Sequence, residues 1–353
     1  MSRRRRSRTL LALCLTGFFL GAGECALRIF ESLGEQQELE EDTSAWRGML
    51  VDDADPILRY RNMPSVQRSA AGASYGHDVR GHREPAAAAA ADVPAVAFLG
   101  DSTTYGFGVD AEETVPQLLA EFLGDRVSAI NLGVCGFGTA QEVALYKRDR
   151  EHLLGCKFVV LAVYPNDFWP LSYFWDESSA ELYHDPMPLP RAWTANLRHS
   201  ALYRALVSLV TPSELRVAEA RRPAPQNIDH VLRGIEALAA LVHSDGRQLV
   251  VVNLPSMERL DPYRHSEYVD QVEAKCDQLQ LPYADLLQGF LKEREQHQIR
   301  FSARTGRAPT EAQRAWFLAR YWVVPGVDPH LDVAGNRIVA EQLARLLGPL
   351  LGI

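Results

Sequence analysis

Four short polar motifs interrupt this chain of 353 residues: "GDST" at 100–103, "NLGVCGFGT" at 131–139, "YPND" at 164–167 and "DPH" at 328–330. Together they hold a serine (Ser102), a histidine (His330), carboxylates (Asp101, Asp167, Asp328), an asparagine (Asn166) and a glycine-rich loop. These are the residue types that nucleophilic acyl chemistry requires. A serine hydroxyl is a poor nucleophile at its own pKa, so an imidazole must take its proton, and a carboxylate must orient that imidazole. The oxyanion that then forms needs donors already in place. Each motif alone also has a plainer reading: a helix N-cap, a phosphate loop or turn, a turn, and a surface loop. Capping accounts for Ser102 or Thr103. It accounts for neither the asparagine nor the glycine-rich loop.

The elements around the motifs decide whether they can meet. Apolar runs "AVAFLG", "SAINLG", "KFVVLAVY", "QLVVVNL" and the weaker "LPYAD" read as strands. The segments "TVPQLLAEFL", "TAQEVALYKRDREHLL" and "IDHVLRGIEALAALVHSDG" between them place apolar residues at helical spacing. Strands that are apolar throughout and alternate with helices predict an α/β fold with a parallel sheet covered on both faces. In such sheets ligands lie at the carboxyl ends of the strands. Ser102, residues 131–136 and Asn166 each stand just past a predicted strand, and Asp328 and His330 precede a carboxy-terminal amphipathic helix.

On these motifs, in this order, the chain resembles the SGNH, or GDSL-type, esterase superfamily from about Val96 to Leu347. The resemblance implies a flavodoxin-like, three-layer α/β/α hydrolase. It implies Ser102 as nucleophile, His330 as base and Asp328 as its orienting acid. It also implies an oxyanion hole formed by the Ser102 and Gly136 N–H groups and the Asn166 amide, with no metal and no cofactor. Three features depart from the family's pattern. Asp328 lies two residues before His330 instead of three, which leaves Asp332 as a rival orienter. Tyr164 and Pro165 stand where glycine is usual, and Thr103 stands where Leu or Phe is common. The expected activity is hydrolysis of an acyl ester, acetyl foremost, through an acyl-enzyme. An O-acetyltransferase acting on an envelope or secreted glycan would use the same residues, and a catalytically silent binding module would keep the fold. A nucleotide-binding protein is disfavoured, since "GDSTTYGFG" has neither the dinucleotide nor the P-loop pattern.

Composition sets the frame. Nearly half the residues are apolar and the formal charge is -8, so no basic field exists to attract nucleic acid. The beginning of the sequence is a cationic segment, 1–8, followed by an apolar stretch, 9–30, whose run of about 15 uninterrupted residues is short for a span of about 20. The helical pattern continues through Ala26, Leu27, Ile29 and Phe30, which favours an uncleaved signal anchor over a cleaved signal peptide. Either reading places the rest of the chain outside the cytoplasm. Residues 31–92 read as a linker and accessory segment in which "ILRYRNMPS" could add an edge strand. The hydrolase domain is expected over 93–353, with insertions near 168–225 and 288–322. The first of these, rich in aromatics and prolines, reads as a packed insertion, or as a lid or a sugar- or acyl-binding wall. Cys135, Cys156 and Cys276 show no metal-ligand or CxxC spacing.

Overall fold

A computed structural model describes residues 21–26, 49–70, 73–84, 93–124, 126–153, 155–168, 225–257, 260, 263, 265–310, 313–314, 321–324 and 328–353. The chain divides into two units, one of residues 1–44 and 177–222, the other of 45–176 and 223–353. Only residues 21–26 of the first are described, and they are helical. The rest of the expected anchor lies outside the described residues, as does the expected insertion beyond Phe168 up to position 224. Among the described residues no helix is long and apolar enough to cross a membrane.

The second unit is built on a five-stranded parallel sheet in the order β6-β5-β7-β8-β9. Its strands are β5 (Ala95–Leu99), β6 (Ser128–Asn131), β7 (Cys156–Val163), β8 (Gln248–Asn253) and β9 (Tyr283–Asp285). They coincide with the five apolar runs. The first two strands in sequence exchange places at one edge, which is the flavodoxin-like order and puts a crevice at the carboxyl end of β5. Alternation splits each strand between two cores. Val96 and Phe98 pack with Val160 and Val250 on one face, while Ala97 and Leu99 pack with Val159, Leu161 and Val251 on the other.

Helices α2 (Val115–Phe122) and α7 (Val333–Leu351) cover the first face through Leu118, Leu119, Val339 and Leu343. Helices α3 (Thr139–Asp149) and α4 (Pro225–Ser244) cover the second through Leu145, Tyr146, Ile235 and Leu238. Two further helices, α5 (Ser266–Leu279) and α6 (Leu287–Thr305), flank β9 in sequence. Helix α6 runs through the first part of the region where the second insertion is expected. A three-layer α/β/α architecture results.

Two elements differ from the sequence expectation. Residues 49–84, read as linker and accessory segment, are built into this unit as two antiparallel hairpins, β1 (Leu50–Asp52) with β2 (Tyr60–Asn62) and β3 (Gln67–Ala70) with β4 (Ala73–Gly76). The pattern looked polar because Asn62, His77, His82 and Arg83 are buried as polar side chains beside Met49, Leu58 and Tyr75. Strand β2 therefore pairs with β1 and not with the edge of the main sheet. The second difference is at "DPH", where the sequence reading placed no strand. Asp328 and His330 lie on strand β11 (Asp328–Leu331), which pairs antiparallel with β10 (Trp322–Val324).

Candidate active site

Ser102 opens the short helix α1 (Ser102–Tyr105) immediately past β5. Asp101 caps that helix, its Oδ1 accepting from the Thr103 N–H at 2.9 Å. Gly100 makes the turn possible, because a Cβ there would meet Thr104 Oγ1 at 2.1 Å. The chain leaves α1 through Gly106 at φ +82°, a conformation that favours glycine. Thus Ser102 stands on a tight strand-to-helix turn at the crevice.

Strand β11 brings His330 to it from 228 positions away in sequence, with Nε2 2.8 Å from Ser102 Oγ. Hairpin pairing with β10 fixes the strand that presents His330, and the Phe107 ring packs 4.8 Å from the imidazole. Asp328 begins the same strand two residues earlier, and its side chain lies outside the described residues. The rival orienter, Asp332, has a task of its own: its Oδ1 accepts from the Gly335 N–H at 2.8 Å and caps helix α7.

Asn166 sits on a 3₁₀ turn, Pro165–Phe168, at the end of β7. Asp167 pins this turn, accepting from the Tyr164 N–H at 2.8 Å and from the Thr139 hydroxyl at 2.7 Å. Asn166 Nδ2 donates to Asp101 Oδ2 at 2.8 Å, which ties it to the turn that carries Ser102. An amide nitrogen carries two hydrogens, so one remains for another acceptor. Asp101 thereby does more than shape its own turn. The motif "GDS" shows the acid but not its reach to Asn166, which depends on β5 and β7 being neighbours.

The loop after β6 completes the arrangement. Asn131 Nδ2 donates to the Thr104 carbonyl at 2.8 Å, and its Oδ1 accepts from the Gly133 N–H at 2.9 Å. The Val134 N–H donates to the Gly100 carbonyl at 3.1 Å. Gly133 is required by close approach, since a Cβ there would lie 2.3 Å from the Tyr105 nitrogen. Gly136 follows at φ +77°. Cys135 beside it is half-buried, and desolvation next to Asp101 pushes its thiol well above the ordinary range, so it does not supply a thiolate.

Buried carboxyls surround the back of the site. Burial raises Asp101, opposed by the Thr103 N–H bond, the charge of His330 and the Asn166 amide. Burial likewise raises Asp167 and, further, Glu142, whose two oxygens have no hydrogen-bond partner among the described residues. Burial without a donor, next to the charges of Asp167 and Asp101, disfavours the ionised form of Glu142. No cluster of His, Cys, Asp or Glu able to hold a metal ion occurs among the described residues.

No protein-family model matches the chain, and no curated protein does. Solved esterase structures resemble it. A carbohydrate acetylesterase family member from Sinorhizobium meliloti is 15% identical with a TM-score of 0.43, covering 74% of this chain and 100% of its own. The native M. smegmatis aryl esterase is 14% identical at 0.42, covering 73% and 100%. An acetyl xylan esterase, AlAXEase, is 17% identical at 0.41, covering 70% and 97%.

The segment 49–84 contributes contacts that reading the motifs did not anticipate. His77 Nε2 is 2.8 Å from the Tyr105 hydroxyl on helix α1. The Arg83 guanidinium lies against both the Tyr75 and Tyr105 rings, 4.4 and 4.8 Å from their centroids, and donates to the Ser74 and Val109 carbonyls. Tyr60 donates to the Cys135 carbonyl and Asn62 to the Gly133 carbonyl, each at 3.0 Å. The alternation of Tyr60 and Asn62 in "YRN" was the available signal, since residues two apart share a strand face.

Proposed function

We propose that this protein is a serine esterase of the SGNH, or GDSL, type that hydrolyses an acyl ester, acetyl foremost, through an acyl-enzyme on Ser102. The observation that carries the reading is the 2.8 Å contact between His330 Nε2 and Ser102 Oγ across two distant parts of the chain. Its distance is that of a nucleophile and its base. Ser102 Oγ attacks the carbonyl carbon of the ester while His330 Nε2 takes the hydroxyl proton. Asp328 orients the imidazole from the far nitrogen and stabilises the imidazolium.

The oxygen of the tetrahedral intermediate receives hydrogen bonds from the Ser102 and Gly136 N–H groups and from the remaining Asn166 hydrogen. Collapse breaks the ester C–O bond, and the leaving alcohol takes the proton from His330. Water then attacks the acyl-enzyme with its proton passing to His330; the Ser102 Oγ–acyl carbon bond breaks, His330 returns the proton to Ser102 Oγ, and the acid is released. An acetyl ester on a glycan fits this scheme, with the sugar hydroxyl as leaving group. We place the enzyme in the cell envelope, tethered by residues 9–30 with the cationic residues 1–8 on the cytoplasmic side; the order of charge and apolar residues supports this.

The test is hydrolysis of para-nitrophenyl acetate by the full chain beside its Ser102→Ala variant, with membrane and soluble fractions assayed separately. Loss of several orders of magnitude in the variant is expected, the scale on which a nucleophile's removal reads out. Turnover that survives in Ser102→Ala would overturn the esterase reading. Activity confined to the soluble fraction would overturn the tether.

A further inference from the structure

The donors of an oxyanion hole act only if they are held where the charge will develop, and a loop glycine does not hold itself. Gly136 is at φ +77°, and among the described residues its N–H donates to no protein acceptor. What restrains it lies on the other side of the same peptide bond. In a trans peptide the carbonyl of one residue and the N–H of the next point in opposite directions within one plane. Fixing the Cys135 carbonyl therefore fixes the Gly136 N–H.

We propose that Tyr60 is a positioning residue for the reaction, its hydroxyl holding the Cys135–Gly136 peptide so that the Gly136 N–H is presented to the oxyanion, with Asn62 bracing the same loop. This rests on the esterase reading above and assigns a new part of the chain to it. Tyr60 Oη donates to the Cys135 carbonyl at 3.0 Å, and Asn62 Nδ2 donates to the Gly133 carbonyl at 3.0 Å. The two donors are two positions apart on β2, on one face of the strand, so they engage the loop as a pair.

The strand itself is anchored. It pairs with β1 from Asp52 to Leu50, and Gln141 Nε2 on helix α3 donates to the Leu58 carbonyl at 3.1 Å just before it. The Tyr60 ring meets Phe137 edge-on at 5.2 Å, which sets the hydroxyl's direction. Burial raises the phenol above its ordinary range, so it remains a donor throughout the working pH of an esterase. A brace of this kind lets a glycine approach substrate closely without surrendering the orientation of its N–H.

Tyr60→Phe removes the hydroxyl and keeps the ring against Phe137. The full chain is assayed as wild type, Tyr60→Phe and Ser102→Ala for kcat and KM on para-nitrophenyl acetate. The same proteins are assayed for the rate of capture by a fluorophosphonate ester, which bonds Ser102 in tetrahedral form and places an oxygen in the hole. The expected result for Tyr60→Phe is a fall of about 10-fold or more in both kcat and capture rate with KM unchanged, since the donor acts on the tetrahedral species and not on bound ester.

Wild-type kcat and capture in Tyr60→Phe, with both abolished in Ser102→Ala, would overturn the brace and leave the esterase reading standing. A fall in kcat accompanied by a matching rise in KM and a lowered unfolding midpoint would also overturn it, as a general packing role. Absence of Ser102-dependent turnover and capture in the wild type would overturn the esterase reading and the brace with it.

Discussion

Gly133→Ala tests the packing that sets the Ser102 helix against the loop after β6. The added Cβ would lie 2.3 Å from the Tyr105 nitrogen, 2.7 Å from its Cα and 2.9 Å from the Thr104 carbonyl carbon, whereas ordinary contact begins at 3.4 Å. All three atoms are backbone, so no rotamer change relieves the clash. Helix α1 and the loop must separate by roughly 1 Å, the difference between clash and contact. The bonds that resist are Asn131 to Thr104, Val134 to Gly100 and Asn62 to Gly133, all within 3.1 Å. Weakening two of them costs about 2 kcal/mol at about 1 kcal/mol each. Overpacking adds about 1–3 kcal/mol, for a loss of roughly 3–5 kcal/mol. That is a large part of the 5–15 kcal/mol that stabilises a typical domain. A shift of this size at a nucleophile should also lower kcat by about 100-fold. Urea unfolding and ester hydrolysis would be measured beside Gly348→Ala, where the nearest atom to a Cβ is 3.5 Å away and no loss is expected. A Gly133→Ala protein within 1 kcal/mol of wild type and of undiminished kcat would refute the reasoning.

Two further outcomes are expected. His82 lies between Asp149, at 2.9 Å, and Asp78, at 3.4 Å, and ties the 49–84 segment to helix α3. Burial lowers the imidazole, but the two carboxylates outweigh it and raise it above 6.5; burial raises Asp149, but His82 and Arg148 outweigh it and bring it down to about 2. The His82 contribution is therefore complete below pH 6.5 and lost as pH rises through the folded value, while the Asp149 contribution is complete above pH 3.8 and lost as pH falls toward 2. Unfolding midpoints across pH should peak between these limits, and His82→Gln should flatten the alkaline side; an unchanged alkaline side would sink the assignment. Asp328→Asn should lower kcat by up to about 10⁴, the scale for a triad carboxylate, whereas Asp332→Asn, which preserves an N-cap, should leave kcat close to wild type. The reverse order in steady-state kinetics would make Asp332 the orienter.

The sequence by itself determined the layers and the ligand edge. Strands such as Ala95–Leu99 and Cys156–Val163 carry no polar face, so they had to be covered on both sides, and three of the four motifs had to fall past a strand's carboxyl end. Local chemistry was legible wherever neighbours in sequence produce it, as in the cap that Asp101 makes on Thr103. Tertiary structure alone decided which polar groups meet. It turned Asp101 toward Asn166, brought His330 to Ser102 on a hairpin strand that "DPH" does not announce, and gave Asp332 to helix α7. It also decided the fate of 49–84, read in sequence as linker and accessory segment, whose His77, His82 and Arg83 are buried. The physical reason is common to all of these. Apolar burial follows a period that one strand or helix displays by itself, whereas a buried polar side chain is stable only with its partner, and that partner lies elsewhere in the chain.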